Sequence, residues 1–419
     1  MTHQPDDNHY DVVIIGAGPA GSLAASLLTQ ADVNVLVIEK QHFPRFSIGE
    51  SLLPQSMVYL EEAGLLSIVE QAADKYGFQY KNGAVFSVDN RESIFEFDKK
   101  FSDGPEYTYQ VKRAEFDQLL AQEAQNQGAT FTFGVQVNDV TFTPKPSLTL
   151  CDEKGMTRSI TAEFVLDASG FARVLPRLLN LDTPSDFPIR SSLFCHIKDD
   201  ITDPDYDRNK ILVETHPEFS DVWYWLIPFA DGTASVGCVA EPRFFEELEK
   251  AHSSKDSMLF EVIGQSTRLQ KLLSNATMTR PVQQLTGYSS NVKSLFGDRF
   301  ALLGNAGEFL DPIFSSGVTI AFKSAKLASD CVIRQLQGED VCWNSDFSQP
   351  LQKGVHSFKA FVQSWYQGEL QSILQFEDAP SNIREMICSV LAGYAWDLDN
   401  PYNTETDKRL QTLGELCAF

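Results

Sequence analysis

Apolar and polar positions follow three different rhythms along this chain, and each rhythm predicts a different element. Asp11-Val12-Val13-Ile14-Ile15 is a continuous apolar run of the buried-strand type, and Val33 to Ile38 forms a second β-type run. Between them lie Gly16-Ala17-Gly18-Pro19-Ala20-Gly21 and an alanine- and leucine-rich stretch to about Gln30, which reads as a glycine turn and a helix. Strand, turn, helix and strand make a βαβ unit. Leu53 to Gln71 reads as helical, whereas Phe78 to Val88 and Ser93 to Phe97 alternate like half-exposed strands. Phe116, Leu119, Leu120 and Ala124 fall at helical spacing and predict a helix from about Arg113 to Gln127.

From about Phe187 to Ala240 there is no long helical period, which predicts an antiparallel sheet inserted into the domain that the βαβ unit opens. Inside it, Trp223-Tyr224-Trp225-Leu226-Ile227-Pro228 puts two of the five tryptophans on one strand face. Such a pair serves as ordinary core or as the wall of a site, and the strand alone leaves both open. A helical excursion (Pro242 to Ser274), a strand (Arg299 to Leu303) and a helix from about Ser315 to Gln337 follow. Beyond Gly338 the pattern is mostly helical, with Phe347, Leu351, Val355, Phe358, Val362 and Trp365 on one stripe. The expected class is α/β, with a Rossmann-like domain from residues 1–180 and 286–340. Residues 181–285 form the inserted substrate-side sheet and helices, and 341–419 a C-terminal helical segment.

With 419 residues and 43% hydrophobic content, the chain exceeds what one core usually organises. No apolar run approaches the roughly 20 residues that span a bilayer, and Met1 to His9 is polar, so a soluble, cytoplasmic protein is expected. The seven cysteines are scattered and never form Cys-x-x-Cys, and the seven histidines show no ligand spacing, so reduced thiols and no metal site are expected. A formal charge of -23 argues against nucleic acid, and it makes docking of an acidic partner depend on a local basic patch.

Gly16, Gly18 and Gly21 allow a tight turn, close approach to a pyrophosphate and helix-on-sheet packing, while the following helix supplies N–H donors. Glu39, ending the second strand about 20 residues after the glycines, is placed to accept ribose hydroxyls. The context of strand, helix and acid makes this a dinucleotide site rather than a chance glycine pattern.

Three segments resemble the hydroxylase-type FAD flavoproteins: Val111 to Asp117, Phe164 to Gly170, and Gly297 to Ala306. Four more are similar to signatures of the flavin-dependent halogenases: Phe43 to Pro54, Trp223-x-Trp225-x-Ile227-Pro228, Asp311-Pro312-Ile313-Phe314-Ser315-Ser316-Gly317, and Gly393 to Pro401. Lys81, in Gly77-Phe78-Gln79-Tyr80-Lys81-Asn82-Gly83, completes the set. The resemblance spans most of residues 10 to 335 and implies an FAD-binding fold of the hydroxylase/halogenase type.

It implies FAD used as FADH2 from a separate flavin reductase, dioxygen, and a halide oxidised to hypohalous acid. Cofactor contacts would come from Gly16, Gly18, Ala20, Gly21, Glu39, Arg45, Ser51, Arg113, Asp167, Asn305, Asp311, Gly317 and Val318. The N–H groups of Ser316 and Gly317 would hold the halide, although this turn also reads as a simple helix cap. Trp223 and Trp225 would bar the substrate from the flavin. Lys81, with Lys75 as the fallback, would present the halogen, by donating a hydrogen bond or as a haloamine. Tryptophan halogenases carry a glutamate where this chain has Phe314, which would line the substrate pocket. The substrate implied is therefore a ring that stabilises its own cation, a pyrrole or phenol, free or on an acyl or peptidyl carrier protein. The rival readings are an FAD-dependent aromatic hydroxylase using NAD(P)H, and a flavin-binding protein without turnover.

Overall fold

The computed structural model describes residues 8–88, 91–376 and 380–417. The first apolar run becomes the strand His9–Ile15, central in its sheet because both of its faces are apolar. It pairs in parallel with Thr157–Asp167 on one side and Val35–Glu39 on the other. Phe300–Leu302 and Thr130–Phe133 extend the sheet in parallel at the flanks. The register sets Ile15 level with both Asp167 and Ile38, so Gly16, Ala168 and Glu39 meet at the carboxyl edge of the sheet. That edge is where open α/β sheets take their ligands.

Leu53 to Gln71 is two helices rather than one, Gln55–Glu62 and Leu66–Tyr76. Gly64, at φ 68°, ends the first of them, a left-handed stop that the apolar periodicity does not register.

In the second sheet, Ser191–Lys198, Thr233–Ala240, Trp223–Pro228 and Lys210–Thr215 are neighbours in that order and antiparallel. Gly83–Val88 then joins in parallel to Lys210–Thr215, followed by Arg91–Glu96. A division at residue 180 therefore separates two strands from the sheet they belong to, because alternation shows that a segment is a strand but not which sheet it enters.

All six residues of Trp223–Pro228 are buried. Trp223, Trp225 and Ile227 face a hydrophobic cluster shared with the nucleotide-binding sheet, while Tyr224 and Leu226 face a second cluster with Phe245, Leu259 and Val262. The C-terminal stripe Phe347, Leu351, Val355, Phe358, Val362 and Trp365 is buried in the first cluster, each side chain contributing roughly 1.5–3 kcal/mol. All seven cysteines are free. Among the described residues no helix is long and apolar enough to cross a membrane, and no cluster of three His, Cys, Asp or Glu could hold a metal.

Gly237 lies opposite Trp225, and a Cβ there would come within 2.4 Å of the indole and 2.8 Å of the Leu193 carbonyl. Gly237→Ala is therefore expected to destabilise the protein by about 1–3 kcal/mol. A lower denaturant midpoint with an unchanged m value is the check, and an unchanged midpoint would refute it.

Candidate active site

A cavity of about 480 Å³ runs from the glycine turn on the first sheet to the tryptophan face of the second. At the turn, a Cβ on Gly16 would lie 2.5 Å from the Ala168 carbonyl oxygen, and one on Gly21 would lie 2.0 Å from that of Gly16. Only glycine fits either place. The helix Pro19–Thr29 begins at Gly18 without a side-chain cap, which leaves its first N–H groups to a ligand.

Glu39 is buried and accepts the Ala17 and Gln41 N–H groups, each at 2.9 Å. Arg45 donates to Asp117 at 3.0 Å, while its buried Nε has no partner. Asp117 also pairs with Arg113 at 2.7 and 3.0 Å, and Arg113 donates to the Ile48 carbonyl at 2.6 Å. A glycine floor, an uncapped helix start and an orphaned guanidinium N–H together fit the diphosphate and sugar of a dinucleotide.

Of the other predicted cofactor residues, Ala20, Ser51, Asn305, Gly317 and Val318 line the cavity. Asp167 does not. It is fully buried, accepts the N–H groups of Ser169 (2.9 Å) and Leu175 (2.6 Å), and so staples the turn behind the cavity. Burial raises its carboxyl above the usual range. Asp311 is likewise behind the wall. It accepts the Ile313 N–H at 3.0 Å, and burial lifts its pKa to about 6.

That bond closes a turn at Pro312–Phe314, after which Ser315 takes φ 57° and Ser316 starts the helix Gly317–Leu336. Ser316 is buried and provides no side-chain cap, while Gly317 reaches the cavity. Phe314 lies outside the cavity lining, in a closed cluster with Phe86, Phe361 and Trp365.

Trp223 and Trp225 line the cavity, their ring centroids 6.0 Å apart. Neither indole N–H is left for the cavity, since Trp223 donates to Tyr366 at 3.0 Å and Trp225 to Ser235 at 3.2 Å. The wall therefore offers carbon. Two further lining residues, Glu50 and Tyr288, bring polar atoms. One Glu50 oxygen meets His196 Nε2 at 2.7 Å, and the other has no partner, nor has the buried Tyr288 hydroxyl.

Lys81 ends the short strand Gln79–Lys81, which pairs with Thr108–Gln110. Strand alternation turns Tyr80 outward, 43% exposed, and Lys81 inward, 1% exposed. The Lys81 amine donates to Ser51 Oγ and to the Leu52 carbonyl, both at 2.8 Å, and lies 5.5 Å from the centre of the Phe97 ring. No carboxylate pairs with it among the described residues, and burial alone brings its pKa down to about 7. Ser51 stands between the amine and the cavity. Lys75 is exposed over the Tyr76 ring and does not line the cavity.

Sequence reasoning missed Tyr288, His196 and Tyr366, and it quoted Glu50 only inside a motif. Apart from Glu50 these residues come from segments whose local pattern says strand, loop or helix and nothing more.

A fold and cavity of this kind define an FAD-binding flavoprotein, and residues 9–307 match the family described as FAD binding domain. The chain is 31% identical to the 1H-pyrrole-2-carbonyl-[peptidyl-carrier protein] chlorinase of Pseudomonas fluorescens, over 86% of this chain and 84% of that one. Among solved structures it is similar to a flavoprotein/dehydrogenase from Cytophaga hutchinsonii, with TM-score 0.93 and 39% identity over 98% of this chain and 99% of that one. It is also similar to the flavin-dependent brominase Bmp2, with TM-score 0.83 and 25% identity over 97% and 98%. The chain belongs to the flavin-dependent halogenases, enzymes that use FAD.

Two measurements test the site. Glu39→Ala should weaken FAD binding by about tenfold, read by fluorescence titration, and unchanged affinity would remove Glu39 from the cofactor site. The folded chain releases the Lys81 proton at about 7 and the unfolded chain at 10.5. Burial of the amine therefore costs stability, most of all below pH 7, and the cost fades as pH rises toward 10.5. Lys81→Met should melt above the natural protein, by a wide margin at about pH 6.5 and a narrow one at about pH 10. A margin independent of pH would contradict the buried amine.

Proposed function

We propose that this enzyme chlorinates or brominates a pyrrole or phenol ring, brought by an acyl or peptidyl carrier protein, and that Lys81 hands the halogen to the ring. The observation that carries the proposal is a buried amine with no counter-charge, one serine hydroxyl away from the cofactor cavity. FAD, held by Gly16, Gly18, Glu39, Arg45 and Arg113 and reduced by a separate flavin reductase, supplies the oxidation of halide by dioxygen to hypohalous acid.

The free N–H groups at the start of the helix Gly317–Leu336 hold the halide. Trp223 and Trp225 present no N–H donor to the cavity, so they do not detain the small oxidised acid, yet they block a ring from passing. Ser51 turns about its χ1 to open the amine to the cavity.

The lowered pKa leaves much of the amine neutral near pH 7, which favours the haloamine route over simple hydrogen-bond donation. The nitrogen lone pair takes halogen from the hypohalous acid, and the displaced hydroxide leaves with an amine proton as water. A ring carbon then takes the halogen from nitrogen, and the proton lost by the ring returns to the amine. Phe97, whose ring centre lies 5.5 Å from the amine, must give way for a ring to reach Lys81. Phe314 has no charge to stabilise a ring cation, and so the ring has to do so itself. The likeness to a pyrrolyl-carrier chlorinase supports the tethered pyrrole as the first substrate to try.

Incubation with FAD, a flavin reductase, NADH, halide and pyrrolyl-carrier protein should replace ring hydrogen with halogen by mass. Lys81→Met should abolish that product while leaving FAD affinity and NADH-driven oxygen uptake in place. The wild-type rate should rise as pH passes about 7 and then level off. Near-normal halogenation by the variant would exclude Lys81, and oxygen insertion without halogen would establish the hydroxylase.

A further inference from the structure

Tyr366, the last residue of the helix Gln349–Tyr366, touches both the tryptophan wall and the turn before Gly317. An indole has a single N–H to donate and no acceptor. Since Trp223 gives that N–H to the Tyr366 oxygen at 3.0 Å, the tyrosine has its own proton left for another partner, Asp311 Oδ2, also at 3.0 Å. The other Asp311 oxygen accepts the Ile313 N–H and closes the turn that leads to Ser316 and Gly317. The polarity is thereby fixed: indole donates to phenol and phenol to carboxylate, and the carboxylate also accepts from the Ile313 backbone.

Arg190 secures this chain from the other side. Its guanidinium lies 4.1 Å from the centre of the Tyr366 ring, and it donates to the Asp221 carboxylate at 2.9 Å, two residues ahead of Trp223. Trp223 and Asp311 are both buried, so no water replaces a lost partner cheaply.

We propose that Tyr366 is a positioning residue that fixes the Trp223 indole relative to the halide-binding turn, and so sets the width of the passage between them. The inference rests on the reading that the start of the helix at Gly317 takes the halide. Tyr366→Phe keeps the ring under Arg190 but strips the acceptor from Trp223 and the donor from Asp311. The indole is then free to swing, and water enters beside the halide.

Tyr366→Phe should keep its circular dichroism and FAD affinity, raise the halide KM by about tenfold, and send more of the consumed oxygen out as hydrogen peroxide. Halide binding is read without turnover as the rise in melting temperature of FAD-loaded enzyme with added bromide, and this rise should be lost in the variant. In a Trp223→Phe background the same change should cost less than it does in the natural enzyme, because one of the two bonds it removes is already gone. A bromide response equal to that of the natural enzyme, or additive effects in the double variant, would overturn the positioning role while leaving halogenation untouched. A natural enzyme that forms no halogenated product and ignores bromide would defeat the underlying halide reading, and the proposal would fall with it.

Discussion

The constraint on which this structure depends is the burial of Trp223–Pro228 on both faces. One face is covered by three helices of the inserted segment and the other by the nucleotide-binding half of the molecule. A strand in that position cannot leave a polar atom unpaired, since each such group costs on the order of 1–3 kcal/mol. Its two indole N–H groups are accordingly sent sideways, to Tyr366 and Ser235. The result is a cavity with a carbon wall, so the chemistry has to enter on loops: the segment from Arg45 to Ser51, and the turn from Asp311 to Gly317.

Lys81 stands against the same background as the opposite case. Its two hydrogen bonds go to neutral oxygens, and among the described residues nothing offsets its charge, so the fold lowers the amine pKa instead of pairing it. A methionine of similar length would fill this place at lower cost. The structure gives this amine no compensating charge among the described residues, and its one side-chain partner, Ser51, lines the cavity. Asp311 obeys the same rule with the opposite sign: burial holds its carboxyl toward the neutral form, and both of its oxygens serve as acceptors.

What could be read from the chain divides along a physical line. Glycines that admit no Cβ, the apolar strands and the helical stripe of Phe347 to Trp365 are local requirements, so the βαβ unit, its glycine turn and the C-terminal helices were legible. The resemblance picked out Lys81, but its inward turn was not legible in the sequence. Its burial depends on Thr108–Gln110 pairing with its strand and on the arrival of Ser51, about thirty residues earlier. Asp167 read as a ligand contact because its motif sits at the right edge, yet it is fully buried behind the turn, outside the cavity lining, and accepts two backbone N–H groups there. Which sheet takes Gly83–Val88, and where Glu50 finds its histidine, are matters of long-range pairing that no window of sequence contains.

The C-terminal helices are more than a cover. Tyr366 reaches from them to the tryptophan wall, and Phe361 and Trp365 from the same helix close the aromatic cluster around Phe314. One helix thus touches both the tryptophan wall of the cavity and the aromatic cluster around Phe314. Because packed interiors shift between discrete arrangements rather than deform smoothly, any displacement of that helix is felt at Trp223 as well. The tryptophan wall and the aromatic cluster around Phe314 are therefore mechanically linked, through a helix outside the nucleotide-binding sheet.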